Sequence, residues 1–302
     1  MAPISPRFTA AMPALFVLLW STGFIGAKYG LPYAEPYTFL CIRFVLIIAL
    51  LAGLAVIGRA PWPQGRQIGH LLLTGALVHA AYLGGVFAAI FHGLPSGMAA
   101  LIVGLQPLLT AMVAGPVLGE RIRSRQWLGL VLGLGGVVLV LASRPGAMSP
   151  DAISLAGISG AGISGAGIGF ALIALAGITI GTLYQKRFGA GMDLRTGSAV
   201  QYVGALLVLG PAALFSETMQ VQWSWTFALA LAWLVLVLSL GAITLLMMLI
   251  RAGEAARVAS LFYLVPPVTA ALAWGLFGEV LAPIGLAGMA LAALGVALVI
   301  RR

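Results

Sequence analysis

The sequence predicts an all-α, polytopic membrane protein of ten transmembrane helices built as two inverted five-helix repeats. Three observations predict it. The 302-residue chain is 62% hydrophobic and only 8% charged, with 40 glycines, whereas charged residues make up about a quarter of an ordinary soluble domain. Apolar runs of about 20 residues, enough for a helix to cross a roughly 30 Å hydrocarbon core, recur along the whole chain. They are too long and uninterrupted for the alternating strands of an outer-membrane barrel. Finally, QPLLTAMVAGPVLGE at 106–120 returns 159 positions later as VPPVTAALAWGLFGE at 265–279.

The first run, 11–30, follows MAPISPRF, which carries one arginine and no small-residue cleavage site at signal-peptide distance, so it reads as a retained helix. Four more spans follow at 36–57, 71–91, 96–118 and 127–142. The stretch 145–164, where AGISG occurs at 156–160 and again at 161–165, is expected to be a linker. Its small residues would also allow close helix packing. The second set of spans is 165–184, 197–215, 225–249, 257–277 and 283–300. The chain thus divides into a first repeat at 1–144, the linker, and a second repeat at 165–302.

Charge tests this order. With the N-terminus inside and the sides alternating, the inner face receives Arg7, Arg59, Arg66, Arg121, Arg123, Arg125, Lys186, Arg187, Arg195, Arg251, Arg257, Arg301 and Arg302. The outer face receives only Arg144, and Lys28 and Arg43 fall within spans. Such a bias orients a membrane protein with both termini in the cytoplasm. The net charge of +9 is therefore a topology signal. No basic stripe interleaved with aromatics accompanies it, so no nucleic-acid partner is expected. The single cysteine, Cys41, cannot form an intrachain disulfide.

Over residues 97–143 and 256–302, fourteen of 47 positions are identical at the constant shift, among them Pro107/Pro266, Thr110/Thr269, Gly129/Gly288 and Gly136/Gly295. Farther upstream, at a shift of 158, Arg43-Phe44 falls on Gln201-Tyr202. Each copy holds an odd number of spans, so the two are expected in opposite orientations. Inverted repeats enclose a site near the membrane midplane and expose it to each side in turn, which is a transporter architecture.

The stretches LLWSTGFIGAKYG (18–30), EPYTFLCIRF (35–44), LQPLLTAMVAGPVLGERI (105–122) and QWLGLVLGLGGVVLV (126–140), with the second copy from LVPPVTAALAWGLFGE to GVALVI, resemble the EamA branch of the drug/metabolite transporter superfamily. The likeness spans nearly the whole chain outside the linker. It departs at Gly23, where the family's helix-one motif commonly has asparagine. The resemblance implies that helices 1–4 and 6–9 surround the cavity while 5 and 10 lie to the side. It also implies a location in the bacterial inner membrane and the export of amino acids or other metabolites, aromatic amino acids among them.

The residues themselves exclude several chemistries. None of the seven acids lies in the middle of a span, which argues against a proton-coupled exporter of lipophilic cations, the rival reading, because such pumps need an intramembrane carboxylate. No spacing suits a metal, a catalytic triad or a phosphate loop. Neither an enzyme nor a cofactor is expected, and the expected partners are a small-molecule substrate and the lipid bilayer, in a monomer or homodimer.

Polar and aromatic groups near mid-depth are the candidate substrate contacts. In the third span Gly75, His79, Tyr82 and Val86 share a helical face, and His79 and Tyr82 are expected to line the cavity. Trp20 lies deeper than tryptophan's usual interfacial position and is expected to form a wall. Gln106 precedes Pro107, and Val265 precedes Pro266 and Pro267, at matched breaks in two helices. Proline removes a backbone hydrogen bond and bends a helix, so these three prolines are hinge candidates. Gln106, Ser260 and Tyr263 are expected beside the breaks, with Tyr263 as an aromatic wall. Lys28 and Arg43 could meet a substrate carboxylate. Lys28 can instead snorkel to the interface, and Arg43 can instead tie helices together.

Overall fold

The computed structural model describes residues 6–92, 94, 99, 102–142, 165–253, 255–277 and 282–300. The stretch 145–164, expected as a linker, and the Gly278-Glu279 pair fall outside the described residues. Every element is helical, and the one strand-like pairing among the described residues is an isolated bridge between Ala34 and Val221.

The helices are α1 (Pro6–Gly30), α2 (Pro36–Ile57), α3 (Arg66–Phe91), α4 (Gln106–Leu118) and α5 (Ser124–Ala142), then α6 (Gly165–Phe188), α7 (Leu194–Ser216) and α8 (Trp225–Ala252). Next, α9 joins Ala255–Ser260, a 3-10 turn at Leu261–Leu264 and Val265–Phe277, and α10 is Pro283–Ile300. Of these, α2, α3, α6, α7, α8 and α10 are long and apolar enough to cross a membrane. Helices suit that setting because they satisfy every interior backbone group within one segment.

Local chemistry sets the ends. Pro36 opens α2 in the first turn, where its missing N–H costs nothing. Asp193 caps α7 by accepting from the Arg195 N–H at 2.9 Å, and Ser224 caps α8 by accepting from Phe227 at 3.1 Å. Helix α4 stops at Gly119, whose φ of 72° is the left-handed conformation that glycine adopts without a Cβ penalty. Helix α3 starts at Arg66 instead of 71, and α6 runs to Phe188 instead of 184. Hydropathy reads the lipid-embedded length, whereas a helix continues into its charged ends.

Two nine-residue stretches, Ala76–Gly84 within α3 and Leu234–Ala242 within α8, are π-helical. Their starts and ends both lie 158 residues apart. Helix α5 packs along α10, α2 along α7, α3 on α6 and α7, α1 on α8 and α9, and α4 on α6 and α9. The α5–α10 seam is close enough to require glycine. A Cβ on Gly129 would sit 2.5 Å from the Gly295 carbonyl oxygen, and one on Gly295 would sit 2.5 Å from that of Gly129. Gly136 and Gly288 face each other in the same way, at 2.6 and 2.7 Å. Large side chains such as Leu207, Leu214, Leu229 and Leu236 stay exposed on the outside, as a lipid-facing surface allows.

Candidate functional site

Two adjoining cavities lie among α1, α2, α3, α5, α8 and α9. The first holds about 650 Å³ of unfilled space, part of it open, and is walled by Trp20, Arg43, Tyr82, Val86, Leu234 and Leu238. The second, about 550 Å³, shares Trp20, Tyr82, Val86 and Ile90 with the first and adds Phe262, Val265 and Pro266. A wider opening of about 1030 Å³ adjoins the first at Leu31, Phe87 and Ile90 and is rimmed by Glu35 and Thr218.

Aromatic rings form the partition. Trp20 and Tyr82 stack at 6.4 Å between centroids with planes 12° apart. Phe262 meets Trp20 edge-on at 5.3 Å, and Phe16 backs the indole at 5.2 Å. Gly23 lies on the cavity wall, where a Cβ would run into Leu238.

The expected α3 face splits. Tyr82 enters the cavity, but His79 does not line it. His79 is fully buried and stacks on Tyr202 of α7 at 4.4 Å and 19°, with Phe44 at 6.1 Å. The reason is the π-helical stretch that contains both residues. Its i→i+5 bonding breaks the 3.6-residue phase on which the shared face was predicted, so the two side chains diverge.

A similar shift corrects α9. Tyr263 is buried and covers Gly133 of α5, where a Cβ would collide with its ring. The cavity wall belongs instead to its neighbour Phe262. The 3-10 turn at Leu261–Leu264 rotates the chain away from the α-helical phase. Ser260 is buried and donates to the Arg257 carbonyl at 2.7 Å, within its own turn. Gln106 is also buried and is not among the cavity-lining residues.

The prolines sit at breaks, though not as interior kinks. Pro107 is in the first turn of α4. Pro266 is the second residue of the last segment of α9, after the 3-10 turn. In the first turn a proline N–H would have had no intrahelical partner, so neither proline breaks its own segment, and in α9 it is the preceding 3-10 turn that interrupts the helix. Pro266 lines the second cavity, and Pro267 is buried beside it. On α1, Ser21 donates to the Val17 carbonyl at 2.7 Å and lies 3.4 Å from the carbonyl of Val265, at this break.

Arg43 is the charged member of the first cavity's wall. It is 2% exposed, and its Nε donates to Ser239 Oγ at 2.8 Å. The Ser239 carbonyl accepts from the Tyr202 hydroxyl at 3.1 Å. Sequence reading placed Arg43 in the membrane but could not choose between a helix tie and a substrate contact. The structure gives it both a tie through Nε and a position on the cavity. The described acids, Glu35, Glu120, Asp193 and Glu217, all stand at helix ends. Glu120 reaches across from the end of α4 to accept from the Ala255 N–H that starts α9, at 2.9 Å.

An apolar, aromatic-walled cavity thus lies inside a helical bundle in which six helices are long and apolar enough to cross a membrane. The family model for EamA-like transporters matches residues 8–142 and 165–301, and the chain belongs to that family. YvbV, an uncharacterized transporter of Bacillus subtilis, is 28% identical over 265 residues, 86% of this chain and 81% of its own. YedA, an uncharacterized inner membrane transporter of Escherichia coli K12, is 26% identical over 283 residues, 92% of this chain and 87% of its own. A protein of the same organism named "Probable amino-acid metabolite efflux pump" is 27% identical over 135 residues, 45% of this chain and 43% of its own. A solved crystal structure shares the fold, with a TM-score of 0.77 over 98% of this chain and 97% of that one, at 19% identity.

Proposed function

We propose that the protein exports small metabolites, neutral or aromatic amino acids foremost, across the bacterial inner membrane by alternating access between two inverted five-helix repeats. The observation that carries this reading is the Trp20–Tyr82 cavity, held between α1 of one half and α8 and α9 of the other. Stacked rings and an apolar wall suit a weakly polar body recognised by shape.

Several features support the repeat. Helix α4 at 106–118 and the last segment of α9 at 265–277 correspond at the shift read from the sequence, and the π-helical stretches correspond at 158. The family model covers each half separately. The seam contacts are reciprocal: Gly129 faces Gly295 while Gly288, the counterpart of Gly129, faces Gly136, the counterpart of Gly295. Such exchange is the signature of a two-fold axis. The pairing of α3 with α6 is matched by that of α8 with α1. This arrangement and the charge bias support ten spans with both termini in the cytoplasm. The partial likeness to the named efflux pump supports amino-acid cargo.

Purified protein in liposomes, loaded with an amino-acid panel or with lipophilic dyes, tests the reading. Downhill flux of neutral amino acids without dye flux is expected. Dye flux alone would establish the multidrug alternative, and no flux would reject transport of either class. Orientation is tested with Arg123→Cys on a Cys41→Ala background. Labelling by an impermeant reagent from outside intact cells would refute the inverted topology.

A further inference from the structure

We propose that Arg43 is the anchor for a substrate carboxylate, and that the cavity selects amphipathic carboxylates whether or not they carry an amino group. This rests on the transporter reading and deepens it by naming the recognised chemistry. Arg43 is almost wholly buried, yet it lines the cavity. Only its Nε is engaged, by Ser239. Among the described residues no acceptor meets its two terminal nitrogens, and neither cavity wall contains an acid.

An arginine buried within a membrane span is costly and is normally paired. Here the Ser239 bond fixes the plane of the guanidinium and leaves its paired terminal N–H groups for a planar, bidentate acceptor. A carboxylate fits that geometry. The rest of the wall is Trp20, Tyr82, Val86, Leu234 and Leu238, which suits an aromatic or branched apolar body. Inorganic phosphate would leave most of its oxygens against hydrocarbon. An ammonium group finds no carboxylate on this wall and meets a like charge, so the amino group of an amino acid adds no ion pair and an amine without a carboxylate is repelled.

Four matched compounds separate these contributions: phenylalanine, 3-phenylpropionate, phenylalanine methyl ester and phenethylamine. Two measurements use the full-length protein in detergent. Binding is followed by isothermal titration, and modification of Arg43 by phenylglyoxal is followed by peptide mass mapping. Phenylalanine and 3-phenylpropionate should both bind and both protect Arg43, while the ester and the amine should do neither. Arg43→Gln, which can keep the bond to Ser239, should lose roughly tenfold or more of the carboxylate affinity, the scale of a lost hydrogen bond to a charged group. Arg43→Lys should retain part of it. If either variant fails to fold, protection of the native protein decides. An Arg43 that phenylglyoxal does not reach, equal protection by phenethylamine, or no protection by either carboxylate would overturn the proposal. Protection by carboxylates in a protein that moves none of them in liposomes would leave the site standing and reject the exporter reading.

Discussion

Glu35 and Glu217 hold one another's chain segments. The Glu217 carboxylate, at the end of α7, accepts from the N–H groups of Tyr37 and Thr38 and from the Thr38 hydroxyl, each at 2.7 Å. Glu35, just before α2, accepts from the N–H and hydroxyl of Thr218 at 2.7 and 2.6 Å. The bridge between Ala34 and Val221 extends the same contact. These bonds close the rim of the wide opening above the cavity.

Glu217→Ala should therefore destabilise the protein by about 1.5–3 kcal/mol, the range for hydrogen bonds to a charged group. Glu35→Ala, whose partners are exposed, should cost less. Thermal unfolding in detergent measures both. Neither residue lines the first two cavities, so substrate affinity in the folded fraction should stay at the parental value.

The seam between α5 and α10 predicts a contrast between adjacent glycines. A Cβ on Gly136 would crowd the backbone of α10, with the Gly288 carbonyl oxygen at 2.6 Å, whereas a Cβ on Gly135 would meet only a Leu291 methyl at an ordinary 3.7 Å. Gly136→Ala should cost about 1–3 kcal/mol through overpacking. Gly135→Ala should be neutral or gain up to about 1 kcal/mol from helix propensity. Equal unfolding midpoints for the two variants would contradict the close approach.

The prolines and His79 predict different failures. Pro107 occupies the first turn of α4, and Pro266 that of the last segment of α9 after its 3-10 turn, so alanine should leave stability nearly unchanged. It should slow turnover more than it weakens binding, because the restored N–H lets each segment bond back into the residues before it. Because Pro267 adjoins, Pro266 and Pro267 should also be replaced together. Flux at the parental rate would mean static interruptions. His79→Ala should instead lower stability, since it removes the stack on Tyr202, worth about 0.5–1.5 kcal/mol beyond burial, and should spare binding. Tyr82→Ala should weaken binding.

Asp193 predicts a pH effect at the start of α7. Arg195 donates to both of its carboxylate oxygens, at 3.1 and 3.0 Å, and these bonds hold the carboxyl below its usual value. A depressed folded value adds stability that is complete above the unfolded value, about 3.9, and is lost as pH falls through the folded one. Asp193→Asn should cost little at pH 7, because the pair is near the surface, and the gap from the parent should narrow as pH falls below about 3.9. Unfolding midpoints measured at pH 7 and through the acid range check this.

The sequence by itself determined the helical, membrane-embedded class, because apolar length and charge spacing act over whole segments and survive local irregularity. Helices α2 and α10 occupy 36–57 and 283–300, the ranges read from hydropathy. Trp20 and Tyr82 stood out in the sequence as aromatic groups inside apolar spans, and both line the cavities. What only the tertiary structure decided was the direction of single side chains. The π-helical turns of α3 turned His79 onto Tyr202. The 3-10 turn of α9 exchanged Tyr263 for Phe262. The fold brought Ser239, from a π-helical stretch of α8, to hold Arg43 at the cavity. A periodicity argument assumes one residue spacing per turn. Where the hydrogen-bond register changes, each side chain is rotated away from the predicted face, and packing against distant segments fixes where it comes to rest.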